Sequence, residues 1–140
     1  MAAIERTEFP MQTINVPVSV GELADKISIL QIKHERINDA AKRAHVEVEL
    51  GGLRPIWGAL VEAQPELAGC YDRLKAANEL MWDVQDGLRA REAAKAFDHE
   101  FIELARAVAV RNGERVAIKN EINRLSGSAF VEEKQYQAGS

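Results

Sequence analysis

Several helical stripes in this chain carry polar residues where apolar ones are expected, and these interruptions are the residues able to do chemistry. On the last helical stretch, Asn112 and Arg115 fall on the row that Val108 begins and Ile122 resumes, and Lys119 lies one turn beyond Arg115. On the stretch before it, Tyr71, Asn78, Trp82, Gln85 and Arg89 form a second row beside the apolar one. Nearer the start, Lys26, Lys33 and Arg36 share one side of a helix with Glu22 and Ile29, because residues three, four or seven apart lie on one face. In an inter-helix pocket, Lys26, Lys33, Arg89, Arg115 and Lys119 would supply positive charge. Asn78 and Asn112 would supply orienting hydrogen bonds, and Trp82 an apolar wall. That mixture suits a small anion such as a phosphate, a nucleotide or a carboxylate, since arginine binds these groups bidentately and lysine acts as a point charge.

A competing reading pairs the same cations with acids at the helix boundaries, for which Glu22, Asp25, Asp86, Glu92 and Glu121 are available. Exposed pairs of this kind contribute ~0–1 kcal/mol each. Asn112 and Arg115 are harder to treat as surface residues, because burying either without a partner is costly. Core asparagines also serve to set register.

Other chemistry is sparse. His34, His45 and His99 have no metal-ligand spacing, and His99 with Glu103 makes only an i, i+4 pair, so no metal site is expected. The chain has no Gly-rich phosphate loop, GxSxG, CxxC or HExxH, so no cofactor is implied. Cys70 is the single cysteine, which excludes an internal disulfide, and it falls on an apolar stripe where it acts as a small hydrophobe. Glu132 and Glu133 lie in the tail, where a solvated role is expected.

The elements that must position these residues are helices. A chain of 140 residues fits one domain, with 46% apolar and 29% charged residues. Its net charge of −4 argues against a nucleic-acid binder. No apolar run reaches membrane-spanning length, and charges stand where a secretory signal would be apolar, so a cytoplasmic location is expected.

Residues 1–12 read as a loose arm, and Thr13–Val18 as a short extended lead-in, with Pro17 unsuited to a central strand. Ser19 and Glu22 are spaced as a capping box opening a helix to about Ile37, on which Leu23, Ile27, Leu30 and Ile37 form the apolar face. Asp39 caps a second helix whose stripe is Val46, Leu50, Leu53, Trp57 and Leu60. Gly51, Gly52 and Pro55 sit inside it and predict a kink or a break. Pro65 at an early helical position starts a third helix running to about Ala94, with Leu67, Cys70, Leu74, Ala77, Met81, Val84 and Leu88 along one row. Asp98 caps the fourth, which carries Phe101, Leu104, Val108, Ile118, Ile122 and Leu125 and stops at Gly127. The expected fold is all-α: an antiparallel bundle of about four helices spanning 19–127, with an extended N-terminal lead-in and a C-terminal arm over 128–140.

Three runs carry a resemblance: PVSVGELADKISILQIKHERI, NELMWDVQDGLRAREAAKAFDHEFIELARAV, and NGERVAIKNEINRLSGS with VEEKQY. Over Val16–Tyr136 the chain resembles an uncharacterised family of small all-helical bacterial proteins, found near or fused to glycosyltransferase and surface-polysaccharide genes. The resemblance implies a role near sugar-nucleotide or lipopolysaccharide metabolism and a glycosyltransferase or other envelope-synthesis protein as partner. It implies no catalytic residues. The chain departs from that family at Gly51, Gly52 and Pro55, and at Gly113, where members tend to be acidic. Glu22, Leu23, Asp25 and Ile29–Leu30 are also similar to the first helix of the all-helical chorismate mutases, with Gly21 where their early arginine would stand.

The sequence thus points first to a non-catalytic helical bundle that binds a partner protein or a small anionic metabolite. Its alternatives are a small enzyme acting on an anionic substrate through Arg115, Lys33 and Asn112, and a dimer built on the third and fourth helices.

Overall fold

Four helices make up most of the computed structural model, which describes residues 12–128 and 132–133. They are α1 (Val20–Arg36), α2 (Ala40–Ala63), α3 (Glu66–Ala93) and α4 (His99–Ser126). No strand occurs among the described residues: Gln12–Ser19 leads into α1 without pairing. The loose arm expected over 1–12 lies outside them apart from Gln12, as does the tail apart from Ser128, Glu132 and Glu133.

Helix boundaries follow local chemistry. Ser19 Oγ accepts from the Glu22 N–H at 3.0 Å, Asp39 Oδ1 from Lys42 N–H at 3.0 Å, and Asp98 Oδ1 from Phe101 N–H at 3.1 Å. Gly127 closes α4 in the left-handed region at φ 70°, which costs glycine nothing. The capping box forms only in part, because the Glu22 carboxylate turns to Lys119 instead of the cap N–H. Pro65 takes the cap position of α3 itself and provides no side-chain bond.

The expected break in α2 does not occur: the helix runs unbroken through Pro55 for 24 residues. Gly51, Gly52 and Pro55 all lie on the exposed face, so water can satisfy the carbonyl that proline leaves unpaired. Leu50 and Trp57 anchor the helix on either side of that point.

Helix α1 packs against all three other helices and supplies the centre of the core. Ala24, Ile27 and Leu30 meet Leu50 and Trp57 of α2, Leu67 and Leu74 of α3, and Ile122 of α4 in one core. Trp57 and Tyr71 pack ring to ring at 5.6 Å, and the Tyr71 hydroxyl donates to Gln31 Oε1 at 2.5 Å. Helices α3 and α4 form an antiparallel hairpin, with Arg73 paired to Glu121 at one end and Arg91 to Asp98 and Glu100 at the other.

That hairpin outruns the core. Each of its helices has 28 residues, against 17 in α1, which is about 42 Å against about 25 Å of length. Arg36, at the end of α1, pairs with Asp83 at 2.7 Å. Between Asn78 and Lys119 no residue is fully buried. Leu80, Phe97, Ile102 and Val110 are exposed there. Leu125, expected on the inward stripe, is exposed too.

Candidate functional site

The site begins with a close approach of two backbones. A Cβ on Gly21 would lie 2.4 Å from the carbonyl oxygen of Lys119, so only glycine lets the first turn of α1 meet α4 this closely. The Gly21 N–H, one of the donors a helix start leaves unpaired, goes to Asn123 Oδ1 at 2.8 Å. This contact brings Asp25, one turn further along α1, over the polar row of α4.

Asp25 is 2% exposed and is the hub of the cluster. Arg115 grips it with two nitrogens, Nε to Oδ1 at 2.9 Å and Nη2 to Oδ2 at 2.5 Å. Asn78 Nδ2 donates to Oδ1 at 2.9 Å and to Ser28 Oγ at 2.8 Å. Asn112 stands behind the guanidinium, its Oδ1 accepting from Nη1 at 3.1 Å. Burial alone would push the Asp25 pKa up, but the hydrogen bonds from Arg115 and Asn78 and the charges of Arg115 and Lys119 outweigh it and hold the carboxyl below the usual aspartate range.

Lys119 is 3% exposed, and its ammonium meets Glu132 Oε1 at 2.6 Å, Glu22 Oε2 at 3.0 Å and Asp25 Oδ2 at 3.9 Å. Desolvation disfavours the charged form here, yet Glu132 and Glu22 keep its pKa above the ordinary lysine value. Asn120 holds Glu132 by its backbone: its Nδ2 donates to the Glu132 carbonyl at 3.0 Å, and its Oδ1 accepts the Glu132 N–H at 3.1 Å. The solvated role expected of Glu132 is therefore incorrect, since its Oε1 is buried against Lys119. Its neighbour Glu133 is exposed.

On the other side of Arg115 a cleft of about 250 Å³ opens between α1, α3 and α4. Lys33, Asn78, Trp82 and Arg115 all line it, together with Gln85 and apolar wall residues that include Ile29 and Met81. No carboxylate, thiol, hydroxyl or imidazole is among its lining residues. Lys33 has no carboxylate partner among the described residues, unlike Arg115 and Lys119. The Arg36 guanidinium stands 5.8 Å from the ring centre of Trp82.

The remaining sequence-predicted residues lie elsewhere. Lys26 is absent from this cleft; it shares with Lys33 a larger hollow of about 650 Å³ between α1 and α2, where it pairs with Glu49 at 2.8 Å with 55% of its side chain exposed. Arg89 pairs with Asp86 on the hairpin surface, 68% exposed. Asn112 and Lys119 belong to the Asp25 cluster and do not line the cleft. The acids available as partners do take up cations: Asp25 with Arg115, Glu22 with Lys119, Asp86 with Arg89 and Glu121 with Arg73.

Sequence reasoning missed Asn120 and Asn123, which bond the arm and the first turn of α1, and it took Asp25 only as an available pairing partner. The polar residues Lys119, Asn120 and Asn123 on either side of the inward Ile122 were the available signal. Among the described residues, no group of His, Cys, Asp or Glu is arranged to hold a metal, and no helix is long and apolar enough to cross a membrane. Compared with family models, curated proteins and solved structures, the chain matches none.

Proposed function

We propose that the protein is a non-catalytic helical binding module that takes a small anionic metabolite in the cleft between α1, α3 and α4. The observation that carries this reading is Lys33, which has no carboxylate partner among the described residues, bordering the same cleft as Arg115, Asn78 and Trp82. Lys33 supplies the charge. Two of the five guanidinium hydrogens of Arg115 remain after its bonds to Asp25 and Asn112. Asn78 spends both amide hydrogens on Asp25 and Ser28, so its contribution to a ligand is the carbonyl, which favours an anion that also carries hydroxyl groups.

At about 250 Å³ the cleft is smaller than the ~300–1,000 Å³ of sites for drug-sized ligands. A phosphosugar or a hydroxy acid fits that size, and a whole nucleotide does not. The lining offers charge and hydrogen bonds, and apart from the Lys33 amine it holds no carboxylate, thiol, hydroxyl or imidazole for acid–base or covalent work, which favours binding over catalysis. The resemblance noted above ties this role to cell-envelope polysaccharide synthesis. Titration calorimetry with hexose phosphates is the test: heat with the parent chain that disappears in Lys33→Ala supports the reading, and no heat from any phosphosugar overturns it.

A partner protein is the second reading, favoured by Phe97, Ile102 and Val110 standing exposed on the protruding hairpin. Under the same resemblance that partner is a glycosyltransferase or another envelope-synthesis protein. Capture of such a protein by the parent chain, lost when Phe97 and Ile102 become serine, is the outcome it requires.

A further inference from the structure

The contacts made to Glu132 have the form of peptide recognition. The Asn120 amide pairs with both backbone groups of one residue, Nδ2 to the carbonyl at 3.0 Å and Oδ1 to the N–H at 3.1 Å. That pairing reads extended backbone whatever the side chain, as a strand edge does. The side chain is read separately by Lys119, whose ammonium is 2.6 Å from Glu132 Oε1. Asn120 is oriented for the task by Asn123, 3.5 Å away, which is fixed in turn by the Gly21 N–H. Beside these groups a hollow of about 500 Å³, lined by Pro17, Val18, Ser19 and Arg115, leaves room for neighbouring residues of a bound chain.

The charges show that Glu132 is not needed to complete the cluster. Asp25 and Glu22 already balance Arg115 and Lys119, two carboxylates against two cations, and Glu132 adds a third carboxylate. Its departure leaves a neutral cluster, with Lys119 still paired to Glu22 at 3.0 Å. Glu132 is therefore held by contacts that can be exchanged without leaving a buried charge alone.

We propose that Asn120 and Lys119 form a docking site for an acidic residue in an extended segment of a partner protein, and that Glu132 fills this site in cis. The arm acts as an internal competitor, since a short tether presents Glu132 at an effective concentration on the order of millimolar. This site lies across Arg115 from the cleft assigned above to an anionic metabolite and stands or falls without it.

The test is fluorescence anisotropy with a labelled peptide of the arm's own sequence, AFVEEKQY, titrated with full-length chains. With Glu132→Ala the tethered segment keeps only its backbone pairing to Asn120, and the peptide is expected to bind at least about tenfold more tightly than to the parent chain, where it must also compete with the Glu132 carboxylate for Lys119. Adding Asn120→Ala to that variant removes the gain, as does glutamine in the peptide at the position of Glu132. Lys33→Ala leaves the peptide affinity unchanged. Equal binding to the parent and Glu132→Ala chains overturns the proposal, as does no binding to a Glu132→Ala chain that still melts cooperatively. Full displacement of the peptide by equimolar inorganic phosphate also overturns it, because a simple anion site would then explain the data.

Discussion

Arg115 and Asp25, 90 residues apart in sequence, face each other in a two-pronged ion pair, with nitrogen–oxygen distances of 2.9 and 2.5 Å. The pair joins α1 to α4 at the level where Asn78 of α3 also reaches in, so one carboxylate ties together three helices. Breaking it from either side is not equivalent. Arg115→Ala leaves a buried carboxylate with only Asn78 and a distant ammonium, and is expected to cost about 3–5 kcal/mol. Asp25→Ala leaves a guanidinium whose side chain is already 27% exposed and can turn to water, so its cost is smaller. Urea unfolding of the two variants measures the difference, and an equal loss would rule out this account.

Glycine substitutions divide the molecule sharply. Gly21→Ala places a methyl 2.4 Å from backbone oxygen of Lys119, which cannot swing away, and is expected to destabilise despite alanine's better helix propensity. Gly51→Ala meets nothing within 4 Å on an exposed helix face and is expected to stabilise by roughly 0.5–1 kcal/mol. Thermal melts followed by circular dichroism should move in opposite directions for the two.

Much of this fold is legible in the chain itself. Ser19, Asp39, Asp98 and Gly127 each act on N–H or C=O groups within a few residues, so their roles follow from local order alone. Proline 55 shows where local rules stop short. Its effect depends on which way the face turns, and the α2 face carrying it looks to water.

Acid should weaken the protein through Asp25. Its folded-state pKa lies below the ordinary 3.8, so the stability it contributes is present in full above that value and is lost as pH falls through the lower, folded-state one. Lys119 acts at the other end: its raised pKa gives stability that is complete below the ordinary 10.5 and lost as pH rises through the folded value. Urea midpoints measured between neutral pH and pH 3 should fall less steeply for Asp25→Asn than for the parent. Identical slopes would show that Asp25 titrates alike in both states.

Hydrogen exchange should grade along the α3–α4 hairpin. Amides near Leu74 and Ile122 sit in the core, whereas those from Val84 to Val108 belong to the outer parts of the same two helices, where no residue is fully buried. Exchange in the outer part is expected to be the faster by at least about tenfold, and uniform protection along both helices would contradict the distinction. In the same way Leu74→Ala is expected to cost about 2–5 kcal/mol, and Val110→Ala, at a position 60% exposed, close to nothing.

Read alone, the sequence determined four helices, their caps, and a set of polar residues that break the apolar stripes. Periodicity assigns a residue to a face of its helix but says nothing of what lies opposite or how deep that face sits. Only the tertiary structure decided that Arg115 and Lys119 are neutralised by Asp25, Glu22 and Glu132, that Lys26 and Arg89 stand at the surface, and that Lys33 borders the cleft with no carboxylate partner among the described residues. The physical reason is that an ion pair is set by distance through space, and here it joins residues as far apart as Asp25 and Arg115. That distance was set by Gly21, whose missing side chain lets α1 and α4 come into contact.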